Sequence, residues 1–184
     1  MNDPRRRVLC LSGSLRQRSA NTAALQAAQA LAPSTLELML YDGLGDLPPF
    51  NPDVEAIAVP PAVCALREAV GQADALLIAC PEYAHGVPGV FKNLLDWLVG
   101  SLEFPGKPVA LFNASGRGSY HAQDALGEIL RTMSARVLGG ASGAVALPGA
   151  GCSREEVLAS AERCAELRAL LGALERALAA QAAG

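Results

Sequence analysis

Short apolar runs alternate along the chain with stretches in which apolar residues recur at helical spacing. The apolar runs are bounded by turn residues and occupy positions 7–11, 36–40, 75–80, 109–112 and 137–147. Continuous runs of this length are typical of parallel strands that are buried on both faces of a sheet. The helical stretches occupy positions 22–31, 62–70, 90–98, 124–133 and 153–180. The pattern therefore predicts five strands that alternate with five helices.

Strict alternation of strands and helices predicts a doubly wound α/β sheet, since right-handed crossovers place helices on both faces. The last helix has the clearest start, because Ser153 and Glu156 have the spacing of a capping box. Pro88 suits the first position of the helix that follows the third strand. The irregular, proline- and glycine-containing segment 41–59 predicts a structured surface loop.

Length, composition and charge narrow the class of protein. A chain of 184 residues is long enough for one substantial core and short for two, so we expect a single domain over 1–184. Hydrophobic residues make up 51% and charged residues 18%, which predicts a folded chain. A net charge of −3 argues against nucleic acid or an anionic membrane as partner. No apolar run approaches the roughly 20 residues that span a bilayer.

Cysteine and histidine usage indicates a reducing location and no metal centre. The chain has five cysteines and no CxxC pair, which favours free thiols in the cytoplasm. Most of these cysteines are expected to be small buried apolar residues. There are two histidines and no cluster with ligand spacing, so the sequence supports no metal site.

The loop after the first strand carries the residue types that bind phosphate. In an open parallel sheet, ligands bind beyond the carboxyl ends of the strands. Segment 12–22 combines a glycine, hydroxyls, an amide and two arginines with the start of a helix, whose free N–H groups and dipole favour an anion. Arg16 could add a bidentate partner. The alternative is that Ser19 or Asn21 simply caps the helix. Neither a Walker A sequence nor GxGxxG follows this strand.

A second motif follows the third strand, where residues 81–89 read Pro-Glu-Tyr-Ala-His-Gly-Val-Pro-Gly and lead into a helix. Together with Gly13 to Arg16, Ser19 and Asn21, this segment resembles the NADPH-dependent FMN reductase family, which includes quinone, azo-dye and chromate reductases. The strand and helix pattern fits that family over nearly the whole chain.

The resemblance implies a flavodoxin-like three-layer sandwich with a five-stranded parallel sheet in the order 2-1-3-4-5. It also implies an enzyme that transfers hydride from NADPH or NADH through bound FMN to a small acceptor, such as a quinone, an azo compound, a flavin or chromate. No catalytic side chain is needed, because the flavin carries the chemistry. Relatives are usually homodimers or homotetramers.

The resemblance further implies which residues bind the cofactor. The FMN phosphate is expected among Ser14, Arg16, Ser19, Asn21 and Thr22. The flavin ring is expected beside Pro81, Glu82, Tyr83, His85 and Gly86, with Ser115, Gly116 and Arg117 at its edge. Ala84 departs from the family, which often has asparagine there, and the loop 115–120 has fewer glycines than in relatives.

Two other functions remain open at this stage. An electron-carrier flavodoxin shares the fold and needs no nicotinamide pocket, but its ring is usually packed between aromatic side chains, which are scarce here. A regulatory domain without flavin is the second alternative. For His85, a proton-donating role and a purely structural role in the turn are both compatible with the sequence.

Overall fold

The computed structural model of the chain describes residues 5–115 and 119–182. Its strands are β1 (Arg6–Ser12), β2 (Leu36–Leu40), β3 (Ala75–Ala79), β4 (Pro108–Ala114), β5 (Arg136–Val137) and β6 (Gly143–Val145). Its helices are α1 (Ala20–Leu31), α2 (Pro52–Ile57), α3 (Pro61–Gln72), α4 (Gly89–Val99), α5 (Tyr120–Thr132), α6 (Arg154–Leu158) and α7 (Ala161–Ala182). Helix α4 starts one residue after Pro88, which occupies the capping position rather than the first helical position.

The strands form one parallel sheet in the order β2-β1-β3-β4-β5, so the predicted fold and strand order are confirmed. Alternate residues of the central strands face opposite sides, as β1 shows: Val8 and Cys10 belong to one apolar cluster, and Leu9 and Leu11 to the other. Helices α1 and α7 cover the first side, while α3, α4 and α5 cover the second. All five residues of β3 are buried, as expected of a strand covered on both faces.

The predicted fifth strand is wrong in its continuity, because positions 137–147 break into β5 and β6. β5 pairs with the start of β4 and β6 with its end. A 3-10 turn at Gly139–Ala141 separates them. Ser142 bridges the break, since its Oγ accepts from Leu111 N at 2.9 Å and donates to Leu138 O at 2.9 Å. The side chain thus supplies hydrogen bonds that an unbroken strand would make with its backbone.

The last predicted helix is also divided, although its predicted start is confirmed. Ser153 and Glu156 form both bonds of the capping box, at 2.7 Å and 3.2 Å. Helix α6 nevertheless ends at Leu158, and α7 starts at Ala161. Ser160 provides the new start, because its Oγ accepts from Arg163 N at 3.3 Å and its carbonyl accepts from Cys164 N at 3.0 Å. Ser160 lies in the middle of the predicted helix and provides a second N-terminal cap.

The segment 41–59 is structured, as predicted, and α4 holds it in place. It contains a 3-10 turn at Gly43–Asp46 and the short helix α2. Asn93 accepts from Phe50 N at 2.7 Å and donates to Pro48 O at 2.9 Å. The indole N–H of Trp97 donates to the same carbonyl at 2.8 Å, and its ring meets Phe50 edge-on. In the described part of the chain, no helix has both the length and the apolarity to cross a membrane.

Asn93→Ala removes both side-chain hydrogen bonds to the segment and leaves Phe50 N without its partner. We expect the free energy of unfolding to fall by about 1–3 kcal/mol, the cost of an unsatisfied partly buried donor. Urea denaturation measures this change. Lys92→Ala is the control, because it breaks only the partly exposed pair with Asp96 and should cost less than about 1 kcal/mol. Equal losses in the two variants would show that Asn93 does not anchor the segment.

Candidate active site

A cleft of about 580 Å³ lies at the carboxyl ends of β1, β3, β4 and β6. This volume lies within the range that small-molecule and cofactor sites occupy. Its walls come from the loops that follow these strands and from the start of α1. The lining residues are Ser14, Arg16, Ser19, Ala20, Asn21, Pro81, Glu82, Tyr83, Ala114, Ser115, Ser119, Leu147, Pro148, Gly149 and Ala150. The two sequence motifs, distant along the chain, therefore face one space.

The first loop can turn into the cleft because Gly13 has no side chain. Gly13 N donates to Ala79 O at 2.8 Å, which ties the loop to the end of β3. A Cβ on Gly13 would lie 2.7 Å from Cys80 Sγ and 3.1 Å from Cys80 Cα. Any larger residue would push the loop away from β3 and open the cleft floor.

Ser19 caps α1, as one of the two sequence interpretations proposed. Its backbone is extended and its Oγ accepts from Thr22 N at 3.4 Å. The hydroxyl proton of Ser19 is not used in that bond, so capping leaves a donor on the cleft wall. Thr22 does not line this cleft: its Oγ1 lies 2.8 Å from Ser12 Oγ, and the residue lines a second cavity that also includes Ser19.

Arg16 and Arg18 differ in what surrounds their guanidinium groups. Arg18 donates to Gly151 O at 3.2 Å and lies 3.9 Å from a carboxylate oxygen of Glu156. The exposed Arg16 side chain has no hydrogen bond or ion pair with any residue the structure describes. Of the two, Arg16 is the cation that lines the cleft and retains its full donor capacity.

Asn21 contributes a buried polar atom to the same wall. Only 6% of the residue is exposed, and its Oδ1 finds no hydrogen-bond partner among the described residues. A buried acceptor in this state costs about 1–3 kcal/mol. A ligand hydroxyl or amide N–H in the cleft would remove that cost.

The loop after β3 forms a tight turn at residues 83–86. Tyr83 and Gly86 exchange backbone hydrogen bonds at 3.1 Å and 3.0 Å. Between them, Ala84 and His85 have φ angles of +50° and +58°. Two successive positive values define a type I′ turn, which asparagine and glycine adopt most readily. The positive φ angle at this position therefore explains why the resembled family often has asparagine where this chain has Ala84.

Glu82 connects this turn to α5. Its Oε2 accepts from Ala122 N at 3.1 Å, within the first turn of the helix, where a carboxylate is favoured by the dipole. Its Oε1 lies 3.3 Å from His85 Nδ1. His85 and Gly86 themselves lie outside the cleft lining, in the turn. The loop thus presents Pro81, Glu82 and Tyr83 to the cleft and points its tip elsewhere.

The loop after β4 reaches the cleft through Ser115 and Ser119. Gly116 and Arg117, which the resemblance implicates at the flavin edge, lie outside the described residues. Ser119 is the N-terminal capping residue of α5, but its side chain makes no capping bond. Glu82 supplies the side-chain acceptor to that helix instead.

Sequence reasoning missed one wall of the cleft, formed by residues 147–150. Ala150 O accepts from Ala20 N at 3.0 Å, so this segment packs directly on the start of α1. Pro148-Gly149 after the last strand was the available signal, since the strand-end rule applies to that loop as well.

The thiols near the cleft are not poised for nucleophilic chemistry. Burial raises the pKa of Cys80, beside Gly13, to about 12, and burial does the same for Cys10. Both remain neutral at physiological pH. All five cysteines are unpaired, and of them only Cys64 is exposed.

Comparison with known proteins assigns the chain to a family. A family model described as NADPH-dependent FMN reductase matches residues 6–148. An NAD(P)H-dependent FMN reductase of Pseudomonas aeruginosa is 44% identical over 128 residues, 65% of this chain and 69% of that protein. A quinone reductase of Pseudomonas putida is 41% identical over 125 residues, 62% of this chain and 66% of that protein. The match thus spans about two thirds of these relatives' length.

The fold agrees with this class. The flavoenzyme NAD(P)H:(acceptor) oxidoreductase FerB of Paracoccus denitrificans superimposes with a TM-score of 0.72 at 29% identity, covering 93% of this chain and 98% of that one. The chain belongs to the NADPH-dependent FMN reductase family. By class it is an FMN-dependent oxidoreductase whose electron donor is a reduced nicotinamide.

Ala84→Gly should stabilise the protein. Relief of a left-handed backbone at an L-residue is worth about 1–2 kcal/mol, and the added chain entropy of glycine offsets about 0.5–1 kcal/mol. We expect a net gain of about 0.5–1 kcal/mol in the free energy of unfolding, measured by urea denaturation. Ala65→Gly on the exposed side of α3 is the matched control and should lose about 1 kcal/mol. Loss in both variants would mean that the turn is not strained.

Proposed function

We propose that the cleft holds FMN, with the phosphate at the start of α1 and the ring along Pro81, Glu82 and Tyr83, and that the protein reduces a quinone-type acceptor with electrons from NAD(P)H. The chain then acts as a single FMN-binding domain. Both the class of the chain and the composition of the cleft walls support this function.

Charge and free hydrogen-bond donors favour the start of α1 as the phosphate position. Helix α1 directs its N-terminus toward the cleft, where Ser14, Ser19 and Ala20 lie on the wall. An N-terminal helix dipole and hydroxyl donors favour an anion. Arg16 adds a guanidinium without a described partner, which suits a bidentate bond to phosphate. Thr22 has a smaller part in this proposal than its sequence position implied, because its hydroxyl pairs with Ser12.

The single observation that carries the proposal is the pair of unused polar groups, Arg16 and Asn21, on one wall of a cleft built from both family motifs. The orphaned Oδ1 of Asn21 can accept from a hydroxyl of the ribityl chain, which joins the phosphate to the ring in FMN. A cation suits the phosphate of this ligand, and an acceptor suits a hydroxyl of its sugar alcohol. The residues present therefore fit FMN.

The protein's own task is to bind and orient, since bound FMN supplies the hydride-transfer chemistry. Tyr83, about half exposed, shapes the open side through which nicotinamide and acceptor would enter. Glu82 keeps the loop fixed to α5 while they exchange.

A quinone is the acceptor we favour, because relatives at 35–41% identity are named quinone reductases. Azo compounds, free flavin and chromate are the other acceptors to assay. Anaerobic addition of NADPH or NADH, in parallel, to the FMN-loaded protein should bleach the visible flavin band within the mixing time of a stopped-flow experiment. A quinone should then restore it. Stable yellow colour with both nucleotides would favour an electron carrier, and failure to take up FMN would favour a flavin-free domain.

Arg16→Ala should weaken FMN binding by about ten- to a hundredfold, because a charge-assisted bond to phosphate is worth about 1.5–3 kcal/mol. Fluorescence quenching of FMN on titration with protein measures the dissociation constant. Arg18→Ala is the matched control, and it should change affinity less than about fivefold because Arg18 serves the surface pair with Glu156. Equal effects of the two substitutions, or no effect of Arg16→Ala, would contradict the assigned phosphate position. Riboflavin, which lacks the phosphate, should bind both variants alike.

Self-association and location complete the proposal. Ile57, Val99 and Leu102 are exposed, and Glu55 of α2 lies against Gly100 at the end of α4, so these apolar side chains occupy neighbouring segments. Such a patch favours a homodimer or homotetramer, and a monomer mass in light scattering would contradict it. Unpaired cysteines favour the cytoplasm, which cell fractionation tests.

A further inference from the structure

Three potential metal ligands converge beside the cleft: Glu82, His85 and His121. One ligand atom from each lies within 4.8 Å of the other two. The centroids of the His85 and His121 imidazole rings are 4.6 Å apart, and the two rings are nearly perpendicular. His85 and His121 are exposed, and Glu82 is mostly covered. Sequence spacing gave no sign of this cluster, because the loop after β3 and the start of α5 meet only in the folded protein.

The fold prepares Glu82 as a ligand. Its Oε2 is held by Ala122 N at 3.1 Å, and this fixes the carboxylate with Oε1 directed toward His85 Nδ1 at 3.3 Å. Outer hydrogen bonds of this kind orient metal-ligating carboxylates and imidazoles. A substitution that keeps the bond to Ala122 but removes the charge can therefore separate the two roles of Glu82.

Stability alone does not account for the arrangement. An exposed histidine–carboxylate pair contributes about 0–1 kcal/mol. The turn that carries His85 holds two successive non-glycine residues at positive φ, each of which costs about 1–2 kcal/mol. Backbone strain of this size at converging ligand atoms points to a function for the turn.

We infer that Glu82, His85 and His121 bind a divalent transition-metal cation of the Zn²⁺ type. Two imidazoles and one carboxylate form a ligand set that zinc uses when one coordination position stays open. Tetrahedral bonds of about 2.1 Å place neighbouring ligand atoms about 3.4 Å apart, close to the 3.3 Å between Glu82 and His85. Rotation of the exposed imidazoles closes the longer separations.

This site shares Glu82 with the proposed FMN contacts and takes its two histidines from outside the cleft. Glu82 lines the cleft, whereas His85 and His121 do not. A bound cation would fix the turn at residues 83–86 against α5 and leave its open position to water or an oxygen ligand. The proposal requires neither FMN binding nor reductase activity.

Zn²⁺ titration of the untagged, FMN-loaded protein tests the inference. Calorimetry should show one equivalent bound per chain. The chain has only two histidines, so the imidazole region of an NMR spectrum contains two rings, and both should shift together on addition of Zn²⁺. The same titration without FMN should give the same result. Failure of FMN uptake would therefore contradict the proposed function, and the Zn²⁺ titration would still test the metal site.

His121→Ala and Glu82→Gln should each lower the Zn²⁺ affinity more than tenfold, since removal of a ligand costs more than removal of a supporting group. His121 is exposed, so its substitution should leave folding and FMN uptake intact. Glu128→Gln, an exposed acid further along α5, is the control and should bind as the wild type does. Absence of binding, unshifted imidazoles, or full affinity in His121→Ala would overturn the inference. The last two outcomes would assign the cation to another group, such as the exposed thiol of Cys64.

Discussion

Parallel pairing of β1 between β2 and β3 is the constraint on which the molecule depends. In a parallel sheet the carboxyl ends of all strands lie at the same edge. Because both faces of the sheet are buried, polar side chains are excluded from its interior. The chemistry-bearing loops therefore gather at that edge, each directly ahead of a helix whose first N–H groups have no partner from a preceding helical turn. Register fixes the details, since Ser12 pairs with Ala79, which brings Gly13 against Cys80 and joins the first two loops.

Two polar groups of the cleft do not stabilise the protein without a ligand and are available to bind one. Asn21 has a buried acceptor without a described partner, and Arg16 carries a charge without a described counter-ion. Neither group adds to stability in this state. Elsewhere the chain satisfies such groups, as Asn93 does with Phe50 and Pro48. The contrast between two asparagines of similar chemistry separates a structural amide from one that is available for binding.

Glu82 has a structural role that the family motif alone does not reveal. Its carboxylate caps α5 while the nominal capping residue, Ser119, makes no side-chain bond there. The loop after β3 and the helix after β4 are thus held together by one charged side chain. This contact forms a wall of the proposed FMN site, and it also brings His85 and His121 to one place.

Local pattern determined the strands, most of the helices and the capping box at Ser153, because hydrophobic period and cap chemistry depend on residues a few positions apart. The motif residues also predicted which loops form the cleft, and the structure places Ser14, Arg16, Asn21 and Tyr83 on its walls. Only the tertiary structure decided the breaks at Ser142 and Ser160, where a side chain competes with the regular backbone bond. It likewise decided that Thr22 pairs with Ser12, that residues 147–150 form a wall, and that His121 meets His85. These outcomes depend on loops that are distant in sequence but adjacent at one edge of the sheet. The hydrophobic periodicity of the sequence carries no information about such contacts.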